Sequence, residues 1–265
     1  MNKSLGIDEK NRRLLDSLNR FGHKLFSVDE AAKIIDLPMN DTRLYLAYLT
    51  RRGWLARIKP GLYTSVPLGI VNPQEYKENP WIVANQIFAP CYIGGWSAAA
   101  YWSLTDQLSN SIFVYTSRTF RKKEINIQGT DFVLKLKKNI EHTKSVWVEN
   151  EKIQVSNPTQ TIVDILNDPA FGGGMRHVAE IIKNYFESDQ RNDIDLQKYI
   201  IMCKNRTIYK RLGFILEKKN ISAKDIIEVS RRNISAGYSI FDPTIISKGR
   251  FNRRWNLKVN TEIAK

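Results

Sequence analysis

The sequence is poor in the side chains that build metal sites and disulfide frameworks. It has 2 cysteines, Cys91 and Cys203, which lie far apart without a CxxC spacing, and 3 scattered histidines, His23, His142 and His177. This distribution offers no zinc-ligand pattern and fits a reducing compartment. We therefore expect no metal and no cofactor, and we expect both thiols to be buried small hydrophobic groups rather than nucleophiles.

Long apolar runs are also missing. No stretch of about 18 apolar residues exists, so no transmembrane helix is expected. The first residues, MNKSLGIDEKNRR, lack the apolar segment of a signal peptide. The sequence therefore predicts a cytoplasmic protein that does not enter a membrane.

Acidic residues are outnumbered by basic ones. Asp and Glu number 27 against 41 Lys and Arg, which gives a formal charge of +14 and a pI of about 9.7. Such an excess favours polyanions through counterion release, and nucleic acid is the commonest of them. With 265 residues, 42% of them hydrophobic, the chain is long enough for two globular domains.

Residues 27–67 have the pattern of two short helices followed by a two-stranded ribbon. Ser27 and Glu30 have the spacing of a capping box, so a helix is expected to begin at Val28 and to end before Pro38. Asn40 or Asp41 is expected to cap the second helix. Its buried face is predicted to hold Thr42, Leu46 and Leu49, and its other face Asn40, Arg43, Leu44, Tyr48 and Arg51.

The ribbon follows directly. Residues 54–59 alternate as a half-buried strand does, Lys59-Pro60-Gly61 forms the tip, and residues 62–64 return. Two helices and a hairpin with this charge are typical of a winged helix-turn-helix, in which the second helix enters the major groove. The alternative is a solvated basic helix beside a strand pair. The predicted DNA-binding residues are Asn40, Arg43, Tyr48, Arg51, Arg52, Arg57 and Lys59.

The whole chain is predicted to be of the α+β (mixed) class. Residues 1–70 form the winged helix-turn-helix domain, which includes a leading helix over residues 8–21 closed by Gly22. Residues 71–265 form a larger α/β-type domain with a mixed sheet and a C-terminal helical layer. Within it we expect the sheet over 91–156, helices over 158–232 and an extended, docked tail over 233–265, because its Trp and Phe would otherwise remain in water.

Particular elements of the larger domain follow from periodicity. Alternation predicts strands over residues 91–93, 112–116, 124–128, 131–136, 145–148 and 152–155. Helical spacing predicts helices over residues 159–166, 175–186, 195–204, 207–218 and 222–232, the last with Ser222 as its cap and Asp225 at the third position.

Gly94-Gly95-Trp96-Ser97 is similar to the turn with which nucleotidyltransferases hold a triphosphate. That chemistry also needs paired metal-binding aspartates on the next strand, yet residues 111–115 contain no acid. We therefore interpret the Gly-Gly turn as structural or as a vestige of such a site.

Spaced acids and lysines offer a weaker enzymatic alternative. A metal-dependent nuclease site could be assembled from Asp131, Lys135, Glu149, Glu151 and Lys152, although charged strand turns commonly carry such residues. No Ser/His/Asp or Cys/His grouping is supported by order or spacing. We therefore assign no catalytic residue.

A second basic region lies late in the chain. Residues 204–232 contain nine Lys and Arg against three acids, and more cations follow in the tail. A solvated helix face explains such a run; the alternative is a surface for a partner or a second polyanion, either RNA or the flank of an operator. Its candidate residues are Lys210, Arg211, Arg231, Arg232, Arg250, Arg253 and Arg254.

Several motifs, in order along nearly the whole chain, carry a family resemblance. They are Gly53-Trp54-Leu55, Gly61-Leu62-Tyr63, residues 92–98, Leu104-Thr105-Asp106-Gln107, Asn157-Pro158 before residues 161–164, Phe241-Asp242-Pro243, residues 249–252, and Trp255. The sequence resembles the AbiEi family of bacterial abortive-infection antitoxins and winged-helix transcriptional regulators.

The resemblance implies an antitoxin of a type IV toxin-antitoxin system that acts in phage defence. Its winged helix would bind inverted repeats in double-stranded operator DNA and repress its own operon, which is compatible with a dimer on DNA. Its C-terminal domain would counter a cognate nucleotidyltransferase-like toxin without requiring a stable complex. The resemblance implies no catalytic residues.

Three other functions stay open on the sequence. The first is a nucleic-acid-processing enzyme, a metal-dependent nuclease or a nucleotidyltransferase, delivered by a DNA-binding domain. The second is a plain transcriptional regulator without a toxin. The third is a module that binds protein alone.

Overall fold

The computed structural model describes residues 9–20, 24–67 and 69–264. The N-terminal unit, α1 to β3, is a helix-turn-helix-like arrangement with a small sheet. Its elements are α1 (Glu9–Asn19), β1 (Leu25–Ser27), α2 (Val28–Ile35), α3 (Met39–Arg51), β2 (Leu55–Lys59) and β3 (Leu62–Ser65). The predicted leading helix is present as α1, while Asp8, Phe21 and Gly22 lie outside the described residues.

The N-terminal sheet contains one strand that the sequence pattern did not indicate. Its order is β1-β3-β2, all antiparallel, with Leu25 opposite Thr64 and Arg57 opposite Tyr63. Strand β1 has only three residues, too few to show alternation, and it exists because β3 supplies its partners. Under the sheet, the buried side chains of α3 pack against Leu18 of α1 and Phe26 of β1.

The second unit, α4 to β12, is built around a six-stranded mixed sheet. Its strands are β4 (Cys91–Ile93), β5 (Ser111–Thr116), β6 (Glu124–Ile127), β7 (Thr130–Leu136), β8 (Thr143–Val148) and β9 (Glu151–Ser156). Their order is β6-β7-β5-β4-β9-β8, with parallel pairs β5/β7 and β4/β9 and antiparallel pairs elsewhere. The mixed sheet predicted from alternation is confirmed, with strand ends shifted by at most two residues.

Seven α-helices belong to this unit among the residues that the structure describes. They are α4 (Pro80–Phe88), α5 (Gly95–Tyr101), α6 (Pro158–Asn167), α7 (Met175–Glu187), α8 (Asp193–Cys203), α9 (Thr207–Lys218) and α10 (Lys224–Asn233). Helix α4 packs on the sheet face that carries Ile93 and Val114. The opposite face carries Tyr92, whose hydroxyl reaches Asp164 of α6. A separate core joins α5 to α10.

The predicted cap of α10 is wrong. The helix begins at Lys224, its N-cap position is Ala223, and no side chain caps it. The first helical hydrogen bond runs from the amide of Ile227 to the carbonyl of Ala223. Ala223 and Ile226 are both buried in the helical core. Packing therefore determines where the helix starts, which is one residue later than a cap at Ser222 would place it.

The tail packs against α9 and forms a sheet of its own. Strands β10 (Ser239–Ile240), β11 (Arg250–Asn252) and β12 (Leu257–Val259) pair in the order β10-β12-β11. Trp255 and Phe241 are almost fully buried against α9. Gly213 of α9 makes room for Trp255, since a Cβ there would lie 2.1 Å from the indole ring.

The two units share apolar contacts. Leu25, Ile58 and Leu62 from the N-terminal sheet belong to the same buried cluster as Ile82 and Phe88 of α4. This one cluster contains residues of the small sheet and of the large sheet. Packing between the two units therefore fixes the position of α3 and of the β2–β3 hairpin.

Candidate nucleic-acid interface

The turn into α2 has the geometry that the sequence predicts. The amide of Glu30 donates to the Ser27 hydroxyl at 3.2 Å, and the Glu30 carboxylate accepts from the Ser27 amide at 2.7 Å. This is a complete capping box, and α2 begins at Val28 as expected. The helix ends at Asp36, whose backbone is left-handed with φ 51°.

The predicted cap of α3 is wrong. Its N-cap position is Pro38, with no side-chain cap, and Asn40 and Asp41 lie inside the first turn. The Pro38 carbonyl accepts from the Thr42 amide at 2.9 Å and from the Thr42 hydroxyl at 3.0 Å. Proline fixes its own φ and its carbonyl can still begin the helical ladder, so a side-chain cap is not needed to start the helix.

Helix α3 presents one polar, basic face to solvent. Thr42, Leu46 and Leu49 are fully buried on the inner side, as predicted. The outward face runs through Asn40, Arg43, Leu44, Ala47 and Arg51, all of them exposed. These positions follow the three- and four-residue spacing of a single helical face, so the side chains point in one direction.

Leu44 is the large apolar residue of this face, and the sequence-based site did not include it. Its side chain is 71% exposed in the middle of the basic face. A large exposed leucine between two arginines can contact thymine methyl groups or sugars, which are the apolar parts of a DNA groove. Its position on α3, opposite the buried residues Thr42, Leu46 and Leu49, was the sequence feature that could have identified it.

Two of the predicted site residues have packing roles. Tyr48 is half-buried and stacks on Tyr45, with ring centroids 6.2 Å apart, and its ring also meets the edge of Trp54. Arg52 is exposed, and its guanidinium lies 5.4 Å from the centroid of Trp54. Both therefore help to pack the end of α3 against Trp54, the residue that precedes β2.

The hairpin carries two further cations away from the core. Arg57 and Lys59 are exposed, while Ile58 between them is buried. The tip is formed by Pro60 and Gly61, and the glycine has φ 80°, a left-handed conformation that suits glycine. Arg57 and Lys59 therefore lie immediately before the tip of the hairpin.

Within the described part of the chain, none of Arg43, Arg51, Arg52, Arg57 and Lys59 forms an ion pair. Uncompensated cations on one helix face and one hairpin produce a positive potential over that surface. The arrangement is suited to phosphates of a nucleic-acid backbone.

The second predicted basic surface is not assembled as expected. Lys210 and Arg211 lie in the interior, 1% and 6% exposed, which corrects their assignment to a surface. Arg211 donates to the carbonyls of Leu166 at 2.8 Å and Phe241 at 3.1 Å, and Lys210 donates to that of Gly237 at 2.8 Å. These side chains tie the tail to α9.

The interior position also changes the protonation of Arg211. Burial lowers its pKa to about 10, against the opposing effect of Asp242 and Asp168. The guanidinium remains charged at neutral pH, and its hydrogen bonds to backbone carbonyls satisfy it there.

The other members of that set are exposed but differently engaged. Arg232 pairs with Glu228 on its own helix, and Arg254 pairs with Glu217 of α9. Arg231, Arg250 and Arg253 have no ion pair among the described residues. The exposed cations therefore divide between the end of α10 and the small C-terminal sheet.

Four of the five residues of the enzymatic alternative form other hydrogen bonds or ion pairs. Lys135 pairs with Asp168, Asp131 accepts from Asn126 at 2.7 Å, and the amide of Lys24 donates to Glu151 at 3.0 Å. Lys24 also pairs with Glu149. Over the described residues, no group of three or more His, Cys, Asp or Glu side chains could hold a metal ion; His23 lies outside them.

The Gly-Gly turn has a packing explanation. A Cβ on Gly95, whose φ is 56°, would lie 2.4 Å from the carbonyl oxygen of Phe171, and one on Gly94 would lie 2.6 Å from the ring of Tyr115. The close approach of neighbouring groups therefore requires glycine at both positions. This supports the structural interpretation of the turn.

Asp164 is the centre of a hydrogen-bond network beside the large sheet. Asp164 accepts from Tyr92 at 2.7 Å, from Lys137 at 3.0 Å and from Gln160 at 2.8 Å. Burial, and then the neighbouring Asp164, raise the pKa of Tyr92 well above its usual value. The tyrosine stays protonated and acts as a donor in a structural network.

The cysteines have no activating environment. Cys91 is buried, and burial raises the pKa of its thiol to about 12. Cys203 is only partly buried, which corrects the expectation for this residue, and its pKa is also raised, mainly by burial. Neither thiol is ionised at neutral pH, so neither is a ready nucleophile.

The comparison with known families concerns the N-terminal unit. Residues 13–66 match the model of a family described as transcriptional regulator, AbiEi antitoxin. We refer to this segment as the AbiEi-type domain, after the family that it matches. The match contains α2, α3 and both hairpin strands, and it confirms the family resemblance for these residues. It supports a role as an antitoxin or transcriptional regulator.

A solved structure extends the likeness of the fold beyond the AbiEi-type domain. The crystal structure of the RV2827C protein from Mycobacterium tuberculosis is similar over 95% of this chain and 92% of that chain, with a TM-score of 0.63 and 14% sequence identity. At that identity the likeness shows the fold alone. No curated protein matches the chain. Among the described helices, none is long and apolar enough to span a bilayer.

Proposed function

We propose that the AbiEi-type domain is a winged helix-turn-helix that binds double-stranded operator DNA and represses its own operon. In this assignment α3 enters the major groove, and the β2–β3 hairpin is the wing. The observation that carries the proposal is the exposed, unpaired basic face of α3 together with the two hairpin cations. A cytoplasmic location follows, because the operator is there.

Each side chain has a role in this proposal that follows from its position. Arg43 and Arg51, exposed on the outward face, would contact base edges or phosphates, and Asn40 would meet the groove from the first turn. Arg57 and Lys59 would contact phosphates flanking the groove. Tyr48 and Arg52 would support this surface through their contacts with Trp54.

The experiment measures binding of the full chain to a duplex taken from upstream of its own reading frame. Arg43→Ala and Arg51→Ala should each weaken binding by about 1–3 kcal/mol if they contact bases. Arg12→Ala is the matched control, an exposed arginine on α1, and it should bind as the unmodified chain does. Unchanged affinity and unchanged sequence preference in both α3 variants would exclude α3 as the reading helix.

The family match also supports an antitoxin role, which we propose for the chain as a whole. A nucleotidyltransferase-like toxin encoded beside it would be the partner countered by the second unit, without a stable complex being required. Co-expression tests this role: the full chain should restore growth of cells that express the neighbouring toxin. Growth arrest that persists at full expression of both proteins would exclude antitoxin activity. The chain would then be a transcriptional regulator alone.

A further inference from the structure

The small C-terminal sheet has an exposed face that carries two contacting aromatic rings. Tyr238 and Phe251 are 49% and 65% exposed, and their ring centroids lie 4.7 Å apart at 64°. Because the rings meet edge to face, each of them keeps at least one face that the other does not cover. The pair lies across the sheet, on the side away from the buried core.

The strand register places a cation beside these rings. Lys258 on the central strand β12 is paired with Ile240 on one side and with Phe251 on the other. Side chains at paired positions point to the same face of a sheet. Ile240, 51% exposed, therefore continues the apolar row, and the half-buried side chain of Lys258 lies on the same face.

The charge around this face is one-sided. Residues 238–258 contain five Lys and Arg, namely Lys248, Arg250, Arg253, Arg254 and Lys258, against the single acid Asp242. Asp242 is buried and accepts from the amides of Met175 and Thr244. Arg254 pairs with Glu217, and the other four cations have no ion pair among the described residues.

The sheet that carries the two rings packs on a buried apolar layer. Leu257 on β12, Phe241 and Trp255 are all buried on the opposite face, and the Trp255 indole donates to Glu217 at 2.7 Å. The exposed aromatics are therefore not a consequence of a loose tail. They stand on a sheet that is packed against α9.

Exposed aromatic rings interleaved with free cations favour a single-stranded nucleic acid over an apolar protein surface. Bases stack on aromatic faces while Lys and Arg follow the phosphates. A duplex keeps its bases stacked inside, whereas RNA offers unpaired bases in loops and ends. We propose that the exposed face around Tyr238, Phe251 and Lys258 binds single-stranded RNA, with the two rings stacking on bases.

Fluorescence anisotropy of a labelled twelve-residue oligouridylate, titrated with the full chain at physiological salt, tests this site. Phe251→Leu keeps an apolar side chain but removes the π-face, so affinity should fall by about 5- to 150-fold. Phe251→Trp should retain binding, and its added indole fluorescence should be quenched by RNA. Lys258→Gln should reduce the magnitude of the salt slope by about 0.7.

Two controls separate this site from the AbiEi-type domain. Arg43→Ala should leave the RNA affinity unchanged, and Phe251→Leu should leave operator-duplex binding and the thermal midpoint unchanged. Loss of RNA binding in Arg43→Ala would place the RNA on α3 and overturn the proposal without affecting the proposed operator binding.

Three further results would overturn it. Equal RNA affinity in the unmodified chain and Phe251→Leu would show that the rings are not used. Tighter binding of the matched deoxyoligonucleotide would assign the face to single-stranded DNA. Absence of RNA binding by the unmodified chain would exclude the RNA site and favour a protein partner for this face.

Discussion

The ammonium of Lys24 lies 2.8 Å from a carboxylate oxygen of Glu78, whose side chain has no exposed surface. Glu78 also accepts from the hydroxyls of Thr64 at 2.9 Å and Tyr76 at 3.2 Å, while Lys24 pairs with Glu149 as well. Burial by itself lowers the pKa of Lys24, but hydrogen bonds to Glu149 and Glu78 outweigh it and raise that pKa above its usual value. The network joins the N-terminal sheet to the β8–β9 turn.

Removal of the buried Glu78 carboxylate should weaken the contact between the N-terminal sheet and the β8–β9 turn. Glu78→Ala removes the buried acceptor of the Lys24 ammonium and of the Tyr76 hydroxyl, so we expect a loss of about 2–3 kcal/mol in the free energy of unfolding. Denaturant unfolding followed by circular dichroism measures it. Glu75→Ala, at an exposed position in the same segment, should stay within about 0.5 kcal/mol. Equal stability in the two variants would contradict a structural role for the Lys24–Glu78 pair.

Arg211 provides a test of the interior assignment. Arg211→Met removes the donor that serves the carbonyls of Leu166 and Phe241, and we expect the free energy of unfolding to fall by about 3 kcal/mol. Arg231→Met, at an exposed position on α10, is the control and should change stability by about 0.5 kcal/mol or less. If Arg211→Met instead kept full stability and lost binding to a polyanion, its side chain would belong to a surface after all.

Stability should decline on mild acidification because of His177. Burial lowers its pKa, although a hydrogen bond to the Gly172 carbonyl and the charge of Glu180 oppose this. The unfolded chain then binds a proton near pH 6.5 while the folded chain does not, so stability is lost as pH falls below about 6.5. The slope from this one group is at most about 1.4 kcal/mol per pH unit.

The orientation of His177 suggests the variant for this measurement. Its Nδ1 lies 2.8 Å from the Gly172 carbonyl oxygen, which can only accept, so Nδ1 donates and Nε2 accepts from the Thr105 hydroxyl. His177→Asn keeps the donor near Nδ1 but cannot titrate. Thermal midpoints between about pH 5 and 7 should therefore depend less on pH in the variant. An unaltered pH dependence would assign the effect to other groups.

The hairpin cations should affect the salt dependence of operator binding more than its sequence preference. If Arg57 and Lys59 each contact one phosphate, Arg57→Gln and Lys59→Gln should each reduce the magnitude of the salt slope by about 0.9. Titrations of operator and unrelated duplex at several salt concentrations measure this. Arg13→Gln, which replaces an α1 arginine paired with Glu9, should leave the slope unchanged. A change confined to one base position would instead indicate that the hairpin reads sequence.

Local patterns predicted the parts of the fold that depend on near neighbours. Ser27 and Glu30 are three residues apart and complete their capping box within one turn, so the sequence alone was sufficient. The strands of the large sheet were found for a similar reason, since alternation reports which side chains face the core. The caps predicted at Asn40 or Asp41 and at Ser222 failed where a proline carbonyl or buried packing could start the helix instead.

The sequence by itself determined the basic character of the chain, the two helices and hairpin of the AbiEi-type domain, and the outward position of Arg43 and Arg51. Tertiary structure alone decided that Lys210 and Arg211 are buried and that Tyr238 and Phe251 are exposed together. The carbonyls that hold Arg211 come from residues 29 to 45 positions away, and the two rings meet only because β12 pairs with strands on both sides. Helical or strand periodicity reports which face a side chain occupies, whereas its burial and its partners depend on which distant segments the fold brings against that face.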